Sequence, residues 1–161
     1  MKSENSKHPT KGNLYTKFVL MLAASFAAMY ITTYLNTYQI DHVYFSMTRF
    51  YMVCLGISTM AIIMWLFMRQ MYQNRKKNIA IIVGSLILFV GAFTLVRAQS
   101  PIIGDVLYMK GMIPHHSIAI LTSKRADLKD PEVRKLADGI IAAQEKEIRD
   151  MKAHITRLEA K

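Results

Sequence analysis

The run IAIIVGSLILFVGAFTLV, from Ile79 to Val96, decides the fold because it carries no charged residue over its whole length. A helix needs about 20 apolar residues to cross the ~30 Å hydrocarbon core of a bilayer. Two further uncharged runs extend from Phe18 to Tyr38 and from Phe50 to Met68. The sequence therefore predicts three membrane-spanning helices, over 18–38, 50–68 and 79–96.

Composition and charge favour a membrane partner. The chain has 161 residues, 52% of them hydrophobic, and its lone cysteine, Cys54, excludes an intrachain disulfide framework and a Cys-rich zinc site. Residues 1–97 hold 10 basic and 2 acidic groups, whereas 98–161 hold 11 and 9. Because the basic excess flanks apolar runs, we expect the lipid bilayer as a partner and no nucleic acid.

Basic residues in two segments set the predicted orientation. They occur in the polar tail 1–17, which we expect to be disordered, and between the second and third spans: Lys2, Lys7, Lys11, Lys17, Arg69, Arg75, Lys76 and Lys77. Such an excess marks cytoplasmic segments. We therefore predict a multi-pass protein of the cell (inner) membrane with a cytoplasmic N-terminus. Residues 39–49 and 98–161 then lie on the periplasmic or extracellular side.

The basic tail and first apolar run also resemble a secretory signal peptide. Ser25-Phe26-Ala27 has the small-x-small pattern of a cleavage site. Because the apolar run continues well past this pattern, we expect an uncleaved anchor.

Residues 98–161 have the pattern of a helical hairpin. Ser100-Pro101 suits the start of one helix, and Asp130-Pro131-Glu132 suits the start of another, with a turn between 126 and 130. Residues at three- and four-residue spacing predict the buried stripe of the second helix: Leu136, Ile140, Ala143, Glu147, Met151, His154 and Leu158. Two helices cannot enclose a full core, so we expect a homodimer, another helical partner or packing on the membrane domain.

The first hairpin helix carries an unusual set of side chains. Asp105, Met109, Met112 and His116 fall within roughly a 60° arc, with His115 to one side. Pro114 is expected to kink or restart the helix, and a kink would swing His115 inward.

The second helix presents Gln144, Glu147, Met151 and His154 on one face. Thioethers select Cu(I), whereas imidazole also accepts Cu(II) and zinc, so the mixture favours copper. The alternative is packing alone, because methionine is a common gap-filler in helical cores.

Three stretches resemble the bacterial domain-of-unknown-function family 305, in a membrane-anchored branch. They are Met109-x-x-Met112-Ile-Pro-His115-His116, then Asp130-Pro-Glu-Val-Arg-Lys-Leu-Ala, then Ile140-Ile-Ala-Ala-Gln144-x-x-Glu147-Ile-x-x-Met151. The resemblance implies a ferritin-like helical fold and, for some members, copper or silver binding outside the cytoplasm. The implied ligands are Met109, Met112, His115, His116 and Met151. Asp105 and Glu147 match the pattern as secondary candidates, and His154 departs from it.

His42 is a further secondary candidate. It follows Asp41 in the connection between the first two spans, on the side predicted for the hairpin. A hydrated loop at the lipid headgroups is the alternative, and we favour it slightly.

The predicted protein is therefore all-α, with three transmembrane helices followed by an extracytoplasmic ferritin-like hairpin. We expect copper sequestration or handling without catalysis. The alternative is a helical interaction module with no metal role. A ferritin-like oxidase is less favoured because the Glu-x-x-His motifs of di-metal sites are missing.

Overall fold

The computed structural model describes residues 11–160, and side chains from residue 14 onward. All regular elements in this part are helical, as predicted. They are α1 (Lys11–Thr32), a 3-10 turn (Ile40–His42), α2 (Met47–Met68), α3 (Arg75–Ala98), α4 (Asp105–Arg125) and α5 (Pro131–Glu159). Residues 1–10 of the predicted tail lie outside the described part. Residues 11–17 belong to α1, so the tail was predicted too long.

Among the described residues, three helices are long and apolar enough to cross a membrane. They are Leu14–Thr32, Met47–Met68 and Arg75–Ala98, with mean hydropathies of 1.6, 2.0 and 2.7. The predicted runs 50–68 and 79–96 lie inside α2 and α3. The number and place of the membrane-length helices are therefore as the uncharged runs predicted.

The predicted end of the first span at Tyr38 was wrong. Helix α1 ends at Thr32, and residues 33–36 form turns. The hydroxyls of Thr33 and Thr37 donate to the carbonyls of Tyr30 and Tyr34, at 2.6 and 2.8 Å. Such side-chain bonds compete with continued helix, so polar threonines end an element that hydropathy alone would extend.

Helix α2 packs along both α1 and α3. At Gly56 an added Cβ would lie 2.8 Å from the terminal methyl of Met29, so the missing side chain allows α1 and α2 to approach closely. At the opposite end of α2, Phe18, Ala61 and Tyr72 form a buried cluster that joins α1 to the α2–α3 connection.

Local capping explains where the hairpin helices begin. Asp130 Oδ1 accepts from the amides of Glu132 and Val133, both at 2.9 Å, and Pro131 takes the first helical position, as predicted. The predicted start at Ser100-Pro101 was wrong. Gln99 has a left-handed φ of 58° and ends α3, and the chain then turns until α4 begins at Asp105.

Helices α4 and α5 form the predicted hairpin, joined through residues 126–130. Its core, here called the hairpin seam, consists of Met109, Ile113, Ile120, Ile148 and Ile155, with Met151 and Leu158 packed against it. The predicted stripe of α5 was confirmed at Met151 and Leu158 and wrong at its other five positions, which are exposed: Leu136, Ile140, Ala143, Glu147 and His154. Ala137, Ile148 and Ile155 are buried, whereas Leu136 is 65% exposed. At 100° per residue, the observed buried line lies roughly 80° from the predicted one.

Candidate functional site

The connection between α1 and α2 docks on the hairpin through Ser117. This α4 side chain is fully buried, and its Oγ lies 2.7 Å from the amide nitrogen of Tyr38 and 2.9 Å from Nδ1 of His42. The hydroxyl accepts from the Tyr38 N–H and faces the ring nitrogen of His42. Sequence reasoning missed Ser117, because a serine within a helix gives no signal of a distant partner.

Charged groups surround the docked connection. Nζ of Lys152 on α5 lies 2.6 Å from Oδ2 of Asp41, and this hydrogen bond holds the pKa of the Asp41 carboxyl below its ordinary value. Burial lowers the pKa of His42 below its ordinary value, against the opposing effect of Asp41. Nζ of Lys124 lies 4.6 Å from the ring centroid of Tyr38 and 2.9 Å from Oε1 of Glu145. His42 thus takes part in an intramolecular contact between the α1–α2 connection and the hairpin. The prediction of a hydrated loop was wrong for this residue.

The hairpin seam holds part of the predicted ligand set. Met109 is buried in the seam, and Met151 is half-buried against it. His116 of α4 also faces α5, with Nδ1 at 3.0 Å from Oε2 of Glu147. Two thioethers and an imidazole therefore belong to one helix–helix contact.

The His116 imidazole is the unusual group of this contact. Its Nδ1 is buried and has no hydrogen-bond partner, because the Glu147 oxygen is near enough for an ion pair without being aligned with a ring N–H. Burial lowers the pKa of His116, His115 lowers it further, and Glu147 opposes both. A pKa below the ordinary 6.5 leaves the ring neutral at pH 7, which is the form that ligates metals.

Met112 and His115 lie on another side of α4. Both line a cavity of about 400 Å³, here called the α2–α4 cavity, together with Arg49 of α2. The ring centroids of His115 and His116 are 6.2 Å apart. The five predicted ligands are therefore divided between two places.

Pro114 does not restart the helix, which was one of its two predicted effects. Helix α4 is assigned continuously from Asp105 to Arg125, and Pro114 is fully buried within it. His115 remains exposed instead of swinging inward. Because successive residues of a helix are offset by about 100°, His115 and His116 face different sides of α4.

The secondary candidates do not join either group. Asp105 is exposed in the first turn of α4, His154 is exposed on α5, and His42 is bound to Ser117. Within residues 11–160, no three of the histidine, cysteine, aspartate and glutamate side chains lie together as a set that could hold a metal ion.

Within residues 11–160, three membrane-length helices and a docked C-terminal hairpin define the class: an all-helical protein with helices long and apolar enough to cross a membrane. Residues 97–160 match the model of the family described as "Domain of unknown function (DUF305)". "Uncharacterized protein L153" of Acanthamoeba polyphaga mimivirus is 36% identical over 137 residues, which cover 83% of this chain and 87% of that protein. The chain belongs to the DUF305 family.

The alignment with the viral protein is longer than the hairpin, so the similarity extends into the membrane-length helices. No solved structure matches the chain.

Proposed function

We propose that this protein is a membrane-anchored metal-binding protein that sequesters or handles Cu(I) outside the cytoplasm without catalysis. The observation that carries the proposal is the buried, unbonded Nδ1 of His116, which lies between the two helices, α4 and α5, that also carry the thioethers of Met109 and Met151. A buried polar atom without a hydrogen bond costs about 1–3 kcal/mol, and metal ligation would remove that cost.

The donor types fit a soft ion better than a hard one. Two thioethers and a neutral imidazole favour Cu(I), whereas magnesium or calcium would require several oxygen ligands. Oε2 of Glu147 lies 3.0 Å from Nδ1 of His116, so its carboxylate would be a secondary ligand of the ion. Met109, His116 and Met151 are the proposed ligands, and Met112 and His115 form the competing pair.

The proposed location rests on charge. Arg69, Arg75, Lys76 and Lys77 cluster around the α2–α3 connection, and such basic segments stay on the cytoplasmic side of the inner membrane. The hairpin follows α3 and would then lie on the opposite, periplasmic or extracellular side, with the N-terminus in the cytoplasm.

A Cu(I) titration of the purified full-length protein against a competing chelator tests the site. Met109→Leu and Met151→Leu keep the side-chain volume and remove the sulfur, so the fold should survive. We expect each to weaken Cu(I) binding at least ~10-fold, because a ligand is lost. Met71→Leu, in the α2–α3 connection, is the matched control and should bind as the unchanged protein does.

The same titration separates the two groups of donors. Loss of affinity in Met112→Leu and His115→Gln, with Met109→Leu and Met151→Leu unchanged, would move the site to the α2–α4 cavity. If all four variants bind Cu(I) with the affinity of the unchanged protein, methionine-based copper binding is refuted.

A second candidate function is a helical interaction module. Val133, Leu136 and Ile140 of α5 are 46%, 65% and 38% exposed, forming an apolar face that α4 does not cover. We propose a second copy of this chain as its partner, because one hairpin supplies two of the four helices of a bundle.

A further inference from the structure

Arg49, in the first turn of α2, has an unbalanced positive charge. Its Nη2 donates to the carbonyl oxygen of Pro114 at 3.4 Å, and its guanidinium carbon lies 4.5 Å from the ring centroid of Tyr34. Its Nη1 is buried without a hydrogen-bond partner. None of the ion pairs found within residues 14–160 involves Arg49.

The α2–α4 cavity lies beside this guanidinium and is free of opposing charge. None of the described residues that line its 400 Å³ is acidic. Its polar lining includes Thr48, Tyr108 and His115, and its apolar lining includes Ile103 and Leu107. The amino-terminal end of α2 also borders the cavity and adds positive potential from the helix dipole.

Arg49 is half-buried without a counter-charge, and an anion that accepts hydrogen bonds from the guanidinium would offset the cost of that burial. Phosphate oxygens match the planar guanidinium and can also accept from hydroxyl groups. We propose that the α2–α4 cavity binds a phosphate group, with Arg49 as its principal ligand.

The place of the cavity indicates where the phosphate comes from. It lies where α2 begins and α3 ends, at one boundary of the membrane-length helices, and Gln99 next to the end of α3 belongs to its lining. Lipid phosphates lie at that level of a bilayer, between the hydrocarbon core and water. The apolar wall of Ile103 and Leu107 suits the glycerol and upper acyl carbons of a phospholipid. Soluble phosphate shares the same headgroup chemistry, so the test includes both sources.

The test uses full-length protein purified in a non-ionic detergent. Phosphatidylglycerol, phosphatidylcholine and sodium phosphate are added separately, and bound molecules are counted by native mass spectrometry while thermal unfolding is followed. We expect one retained phospholipid and a raised unfolding midpoint. Arg49→Gln should weaken retention at least ~10-fold, because a charge-assisted hydrogen bond is lost.

Arg97→Gln is the matched control, since Arg97 is exposed near the same end of α3 and does not line the cavity. It removes the same charge and should retain the lipid. Arg49→Lys should restore part of the retention. Leu107→Phe narrows the cavity without changing charge and should lower retention, which keeps the test valid if Arg49→Gln does not fold.

The possible outcomes distinguish a lipid phosphate from soluble phosphate and show whether the proposal fails. Arg49-dependent retention of phospholipid identifies a headgroup site, and Arg49-dependent stabilisation by sodium phosphate alone identifies a soluble ligand. Equal losses in Arg49→Gln and Arg97→Gln would show general charge attraction and overturn the proposal. Absence of any bound phosphate compound on the unchanged protein would also overturn it.

Discussion

At the scale of single residues, Ser117 links the hairpin to the membrane-length helices. Its hydroxyl accepts from the Tyr38 amide and lies 2.9 Å from His42 Nδ1. The other ring nitrogen of His42, Nε2, lies 3.7 Å from Oδ1 of Asp41. A proton on Nε2 therefore faces the carboxylate and leaves Nδ1 free to accept from the Ser117 hydroxyl.

Replacing Ser117 by alanine should destabilise the docked connection. The Tyr38 amide and His42 Nδ1 would both lose their partner in a buried place, which costs about 1–3 kcal/mol of unfolding free energy. Thermal or denaturant unfolding of the full-length protein measures this. Ser123→Ala, on the half-buried last turns of α4, is a control that should change stability far less.

The lowered pKa of His42 predicts a pH dependence of stability. Below about pH 6.5, His42 is protonated in the unfolded chain but stays neutral in the folded protein. Acidification from pH 6.5 to the pKa of the folded state therefore lowers the free energy of unfolding. Above about pH 6.5, His42 is neutral in both states, so the free energy of unfolding keeps its full value. Asp41, Lys152 and Glu145 face the ring and modulate the shift. His116 has a lowered pKa as well and acts in the same direction.

Unfolding midpoints measured between pH 5 and 8 test this dependence. His42→Gln should flatten the profile, because one of the two histidines with a lowered pKa has been removed. A profile that is identical in His42→Gln and the unchanged protein would contradict the assignment.

At the scale of elements, α5 has one apolar face that is buried in the hairpin and another that is exposed. Ala137, Ile148 and Ile155 pack in the hairpin, whereas Leu136 and Ile140 remain exposed. A hairpin with such an uncovered apolar face is typical of a subunit that completes its bundle by association.

Leu136→Gln should therefore prevent the proposed dimer from forming and leave the protein monomeric. The polar side chain would have to be desolvated in the interface, whereas it is harmless on an exposed helix. Mass measurement of the detergent-solubilised protein, with and without copper, records the change. Ala153→Gln, exposed on the opposite side of α5, should leave the mass unchanged. A monomeric unchanged protein would rule out this face as a self-association surface.

At the scale of the whole molecule, the α1–α2 connection and the hairpin lie at the same end of the three membrane-length helices. The contacts of Asp41, His42 and Tyr38 with α4 and α5 establish this shared end. Charge then decides which side of the membrane that end faces, and the basic α2–α3 connection favours the outside for the hairpin.

Labelling of intact cells checks the orientation. In a Cys54→Ala background, Ser100→Cys should react with a membrane-impermeant maleimide, because it lies at the hairpin end. Gln73→Cys, in the α2–α3 connection, should react only after the membrane is opened. The reverse pattern would place the hairpin in the cytoplasm and remove the extracytoplasmic part of the proposed function.

The sequence by itself determined the elements that depend on local or one-dimensional properties. Uncharged length marked α2 and α3, and Asp130-Pro131 set the start of α5 through its own backbone bonds. The interruption of α1 at Thr32 was missed, because threonine hydroxyl bonds act against hydropathy.

Only the tertiary structure decided how each helix is rotated about its axis and what it meets. The continuous path of α4 through Pro114 places His116 at the seam and His115 at the cavity, although the two are neighbours in the chain. Likewise, Ser117 and Arg49 gain their roles from residues far away in sequence. The physical reason is that rotation and docking follow from packing between elements, which the pattern along one helix does not contain.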